Sequence, residues 1–131
     1  MAVNPKLLEA GFANRSEVLG KAHVERSRAR TTPFTKDFQD YITQYCWGDV
    51  WERPGLPRKV RSMLTIAMLV ALGKEEELRL HIRASRNTGV TTEELKEVLL
   101  QSAVYAGVPA ANSAFRIAQE ILTELEREES Q

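Results

Sequence analysis

Between Trp47 and Gly73 the chain runs from two tryptophans, through the turn Pro54-Gly55-Leu56-Pro57, into its most apolar stretch. Met63, Leu64, Ile66, Ala67, Met68, Leu69, Val70, Ala71 and Leu72 lie on all sides of a helical repeat, which predicts a central, buried helix closed by Gly73. Helix, short break, helix is also the pattern elsewhere. No run of alternating β-branched residues occurs, and no Asn-Gly or Asp-Gly hairpin signal, so the fold class is all-α.

Asn4 and Pro5 fit an N-cap and first helical position, opening a helix that reaches Val18-Leu19-Gly20, with Gly11 working against it. A charged connector is expected from Lys21 to Pro33. A second helix follows, with Phe38, Tyr41, Ile42 and Tyr45 on one face and an end near Gly48. After the apolar helix, Glu75-Glu76-Glu77 suit the positive end of another, which runs past Leu78, His81, Ile82 and Ala84 to a stop at Gly89. Thr91-x-x-Glu94 is a capping box with Val90 and Leu95 as a hydrophobic staple, predicting a helix from Thr92 to about Tyr105. Gly107 and Pro109 separate it from a last helix carrying Ala110, Ala114, Ala118, Ile121 and Leu125, and the charged residues from Glu126 onward are expected to fray. Together these form a compact bundle of about six helices in one domain, residues 1–131: an N-terminal helix and connector (1–34), a helical core (35–125) and a tail (126–131).

A chain of 131 residues that is 43% hydrophobic can build one core. Eighteen basic and eighteen acidic side chains cancel, which removes the electrostatic footprint of a nucleic-acid binder and favours a small molecule or a protein as partner. A single cysteine, Cys46, leaves neither an intramolecular disulfide nor a Cys-x-x-Cys centre. No basic-then-apolar leader and no eighteen-residue uncharged apolar run is present, so the expected location is the cytoplasm, without membrane contact.

Arg58, Lys59 and Arg61 stand in the first turn of the apolar helix, where the dipole favours anions, and each opposes it by a few tenths of a kcal/mol. That placement predicts either an anionic ligand or carboxylates from another segment, Glu52 among them. His81 is directed toward Leu78 and Ile82, a position suited to proton transfer and equally to a structural hydrogen bond. Glu77, one turn earlier, can hold its ring. His23 has nothing local to fix its direction. Two distant histidines without helical ligand spacing give no metal site. Arg79, Arg83 and Arg86 read as a solvated face, and Trp47 and Trp51 as anchors of core or interface. Small residues on the last helix and at Ser102-Ala103-Ala106-Gly107 are compatible with self-association or with packing inside the chain. With no phosphate loop, nucleophile elbow or Cys-His pair, an enzyme built on this chain is expected to work without a cofactor.

The order Arg15-x-Glu17-Val18-Leu19-Gly20, His23-Val24-x-Arg26-Ser27, Trp47-Gly48-x-Val50-Trp51-x-Arg53-Pro54-Gly55-Leu56, Arg61-Ser62, His81-x-Arg83-Ala84 and Gly89-Val90-Thr91 resembles the 4-carboxymuconolactone decarboxylases. Alkylhydroperoxidase-D-like (AhpD-like) proteins share that superfamily and carry a Cys-x-x-Cys before the histidine that His81 resembles, where this chain has Lys74 and Glu77. Their acidic partner position reads Ser62, so dithiol peroxide chemistry is not carried over. The resemblance implies an AhpD-like helical fold, a ring-shaped homohexamer, and conversion of 4-carboxymuconolactone to 3-oxoadipate enol-lactone and carbon dioxide, in the breakdown of protocatechuate. For that reaction Arg58 or Arg61 is expected to bind the carboxymethyl carboxylate, and His81 to move a proton or polarise the carbonyl. His23 then stands as a second donor or carboxylate ligand, and Trp51 as a wall against water. Two alternatives from other classes are a non-catalytic helical assembly module and a peroxidase-like member.

Overall fold

The computed structural model describes residues 2–131, and among them the fold is all-helical: seven α-helices and one π-helical segment, with no strand. The chain divides into two compact units after Arg58.

The first unit holds α1 (Pro5–Leu19), α2 (Lys21–Ala29), α3 (Lys36–Ile42) and the π-helical segment Thr43–Val50. Asn4 caps α1, its Oδ1 accepting from the backbone N–H of Lys6 at 3.1 Å and of Leu7 at 3.3 Å. Gly11 does not interrupt the helix but allows a crossing, since a Cβ there would lie 2.0 Å from the carbonyl oxygen of Thr43. Gly48 repeats the device about one turn away in the same helix pair, 2.2 Å from the Leu7 carbonyl oxygen by the same measure. The expected connector after Lys21 is instead helix α2, which starts directly after Gly20 (φ +95°). It buries only Val24, so it has no apolar stripe to announce it, and Arg26 and Arg28 in its last turn suit the negative end of the dipole.

The aromatic face expected of the next helix also differs from the observed one. Phe38, Tyr41 and Tyr45 are exposed, while Thr43, Gln44, Trp47 and Gly48 are buried, and the helix runs on to Val50 rather than stopping near Gly48. From Thr43 the winding widens to π form, which shifts the register of the faces and turns the small and polar side against α1.

The second unit contains all of α4 (Arg58–Leu72) except Arg58, then α5 (Glu75–Ala84), α6 (Thr92–Ala106) and α7 (Val108–Glu129). Helix α4 is not buried all round. Ser62, Ile66 and Val70 form one buried stripe at four-residue spacing, while Leu64, Met68 and Leu72 are 44%, 59% and 69% exposed. The core joins Ile66 and Val70 to Leu78 and Ile82 of α5, Leu95 and Leu99 of α6, and Ala114, Ile117 and Ile121 of α7. The capping box at Thr91 is present, with Thr91 N–H donating to Glu94 Oε1 at 3.0 Å and Glu94 N–H to Thr91 Oγ1 at 3.1 Å.

Helix α7 continues to Glu129 instead of fraying at Glu126, and the arginines expected to face only water explain why. Arg79 binds Glu120 at 2.6 Å, while Arg83 reaches both Glu124 and Glu128 at 2.7 Å, so α5 holds the last turns of α7 by a ladder of ion pairs.

Candidate active site

The cations at the start of α4 have partners within the chain. Arg58 donates to the Glu17 carboxylate and to Asn14 Oδ1, and Lys59 pairs with Glu94 at 2.7 Å. The dipole conflict is thus met at Arg58 by Glu17 and at Lys59 by Glu94. Glu94 serves two partners, and its carboxyl lies below the usual range because Lys59 and the Thr91 backbone both bind the charged form. Asn14 is buried and central to this arrangement: its Nδ2 donates to the Trp47 carbonyl at 2.9 Å and to Glu52 at 2.5 Å, while its oxygen accepts from Arg58.

Trp47 and Trp51 stack with ring centroids 4.9 Å apart and planes 22° from parallel, and both are buried. They act as anchors of the first unit. His23 is half-buried on α2. Burial, then the charges of Arg15, Arg26 and Arg30, push its pKa below the usual value for histidine, so it is neutral near pH 7.

Arg61, Glu77 and His81 belong to the second unit. Arg61 is half-buried on the same turn as Ser62, with its Nε buried. His81 is half-buried between the fully buried neighbours Leu78 and Ile82, and its Nδ1 is buried, so the expected inward direction is what the helix gives. Glu77 lies exposed in the acidic first turn of α5, where it complements the dipole. Ser62, fully buried, meets Thr88 Oγ1 at 2.7 Å, and Thr88 donates in turn to the Ser85 carbonyl at 3.2 Å. This chain of hydroxyls fixes the turn of α4 that bears Arg61 against the segment that ends α5.

Arg15, the first residue of the motif order, is a charged residue of the first unit that the expected site residues do not include. It is only 8% exposed, and its guanidinium donates at 3.3 Å to two neutral oxygens, Gln39 Oε1 and Ser27 Oγ. Its spacing from Gly11 and Val18, at i, i+4 and i+7, places it on the buried face of α1, which is the signal that could have found it.

Among the described residues no three His, Cys, Asp or Glu side chains gather to hold a metal, and no helix is long and apolar enough to cross a membrane. The Cys46 thiol is pushed up by burial, which keeps it protonated and a poor nucleophile.

Residues 36–120 match the model of the carboxymuconolactone decarboxylase family. The chain is 52% identical over 115 residues to 4-carboxymuconolactone decarboxylase of Acinetobacter baylyi, covering 88% of this chain and 86% of that protein. It is 40% identical over 120 residues to nitrosuccinic acid decarboxylase of Metarhizium robertsii, covering 92% and 84%. By both measures the chain belongs to the carboxymuconolactone decarboxylase family.

Proposed function

We propose that this protein is a carboxy-lyase that converts 4-carboxymuconolactone to 3-oxoadipate enol-lactone and carbon dioxide, in the protocatechuate branch of aromatic catabolism. The observation that carries this is the 52% identity, over most of both chains, to a decarboxylase of that name.

The chemistry asks for placement, charge stabilisation and a proton, which Arg and His side chains can supply. When the bond from the ring carbon to its carboxylate breaks, the electron pair forms a new ring double bond. The pair of the existing double bond moves into the lactone carbonyl, giving an oxyfuran-like anion. Protonation on the carbon beside that carbonyl completes the enol-lactone. The substrate supplies its own electron sink, so the protein has to place it, stabilise the developing oxyanion and deliver one proton. Nitrosuccinic acid, named for the second relative, is likewise a diacid with a built-in acceptor, its nitro group.

His81 is assigned the proton transfer or the polarisation of the carbonyl, and Arg61 the carboxymethyl carboxylate, which its fork can bind through two hydrogen bonds. Both stand on helices fixed by the Ile66–Ile82 core and the Ser62–Thr88 hydrogen bond. Arg58, held by Glu17 and Asn14, has the lesser role of fixing the start of α4. His23, neutral near pH 7, is a second-rank donor. Glu77 affects the electrostatics of α5, and Trp51 serves through its stack with Trp47. Replacing His81 with Gln should lower kcat about a hundredfold with the melting temperature held. Arg61→Met should mainly raise KM. Full turnover in both variants would remove these assignments.

The same reading includes assembly as a ring-shaped homohexamer in the cytoplasm. Apolar side chains left exposed on α4 (Leu64, Met68, Leu72) and on α6 (Leu100, Val104, Tyr105) support it, because such faces seek cover in an oligomer. Light scattering after size exclusion tests it, and a monomer at micromolar concentration would contradict it.

A further inference from the structure

The first unit contains a cavity of about 270 Å³ whose charge is not balanced by the chain. Phe12, Arg15, Arg28, Lys36, Gln39 and Asp40 line it. Arg15 is more than nine-tenths buried, and its only described hydrogen bonds are the two long ones to neutral oxygens. Its Nε has no partner. Among the described residues no carboxylate pairs with it. A buried guanidinium without a counter-charge is costly, because two long hydrogen bonds to neutral oxygens replace only part of the hydration that burial removes. The second cation, Arg28, lies over the Phe12 ring at 4.2 Å, a contact that leaves the edge of its fork available. The cavity's one acid, Asp40, is engaged by Lys36 at 2.5 Å. The walls therefore combine one apolar ring, a neutral amide and surplus positive charge, in a space at the small end of ligand pockets.

From this geometry we infer that the cavity bounded by α1, α2 and α3 binds the carboxylate of a small organic acid, with Arg15 as its buried ligand and Arg28 closing over it. A planar carboxylate meets the fork of Arg15, and its charge replaces the missing counter-ion. The site shares no residue with the reaction assigned to Arg61 and His81.

Calorimetric titration of the whole protein with adipate, and separately with inorganic phosphate, tests it. Adipate should bind the wild type, and Arg15→Gln should weaken it at least about tenfold, as loss of a charged hydrogen-bond partner does. Arg28→Ala, a change at an exposed residue, should weaken it about threefold and keeps the test valid if Arg15→Gln does not fold. Adipate affinity unaltered by either change, no adipate binding at all, or binding of phosphate in place of adipate would overturn the inference. When adipate binding is lost, lactone kinetics identify the natural occupant. A raised KM in Arg15→Gln points to a carboxylate of the lactone, and an unchanged KM to a separate organic acid. A wild type that binds adipate through Arg15 yet releases no carbon dioxide sinks the assigned reaction and leaves this site standing.

Discussion

The two units reach burial by opposite means. The second buries an apolar cluster from four helices, with Ile66, Ile82, Leu99 and Ile117 almost fully enclosed. The first buries Asn14, Arg15, Thr43 and Gln44 alongside Val18, Val24 and the two tryptophans, and joins α1 to the π-helical segment through glycine crossings rather than side-chain packing. An apolar core gives stability in proportion to area, with little demand on direction. A polar one holds only if each group meets its partner, so it fixes geometry more tightly and fails more abruptly. The second unit is thus a scaffold that presents Arg61 and His81, and the first is a shaped, charged chamber.

Substitutions in each unit sharpen that contrast. The largest loss is expected for Ile66→Ala, about 2–5 kcal/mol from the cavity it leaves in the apolar core, measured by chemical denaturation. Next is Gly11→Ala, about 1–3 kcal/mol, because a single methyl group must push α1 off the Thr43 carbonyl. Should Gly11→Ala prove neutral, close backbone approach is not what joins α1 to the π-helical segment. Arg83→Ala should cost at most about 1 kcal/mol, since its pairs with Glu124 and Glu128 lie at the surface. Its visible effect is faster amide exchange in the last two turns of α7. Unchanged exchange there would show that the ladder does not hold the helix end.

The smallest effect concerns pH. The pKa of His23 in the fold lies below its ordinary 6.5, so as pH falls through that value the unfolded chain takes up the proton first. Stability from this residue is intact above about pH 6.5 and declines below it. The melting temperature should fall from pH 7 to pH 5, and His23→Asn should flatten that slope. An identical slope in the variant would show that His23 remains as easily protonated in the fold as outside it.

What the sequence made legible follows the same division. In the second unit periodicity and caps located α4, α6 and the starts of α5 and α7 closely, because an apolar stripe and a capping box are local signals, whereas α5 ends at Ala84, short of the expected stop at Gly89. The end of α7 was missed, since its support comes from Arg79 and Arg83, distant in sequence. In the first unit α2 was read as a connector because charge and a cation–π contact, not an apolar stripe, define its surroundings. The exposed Phe38, Tyr41 and Tyr45 misled for the converse reason: their spacing announced a buried face, yet all three are exposed, and only Tyr45 lies in the π-wound stretch. At the candidate site, the inward direction of His81 was readable from Leu78 and Ile82. That Arg58 is bound by Glu17 was not, because the two lie far apart in sequence, and the burial of Arg15 was signalled only by its spacing from Gly11 and Val18.

The most direct test of the assigned reaction is carbon dioxide release from freshly generated 4-carboxymuconolactone, with the purified protein, with and without a chelator, against the spontaneous rate. Release far above the spontaneous rate and indifferent to the chelator is the predicted result. No acceleration by an intact, folded protein would contradict it.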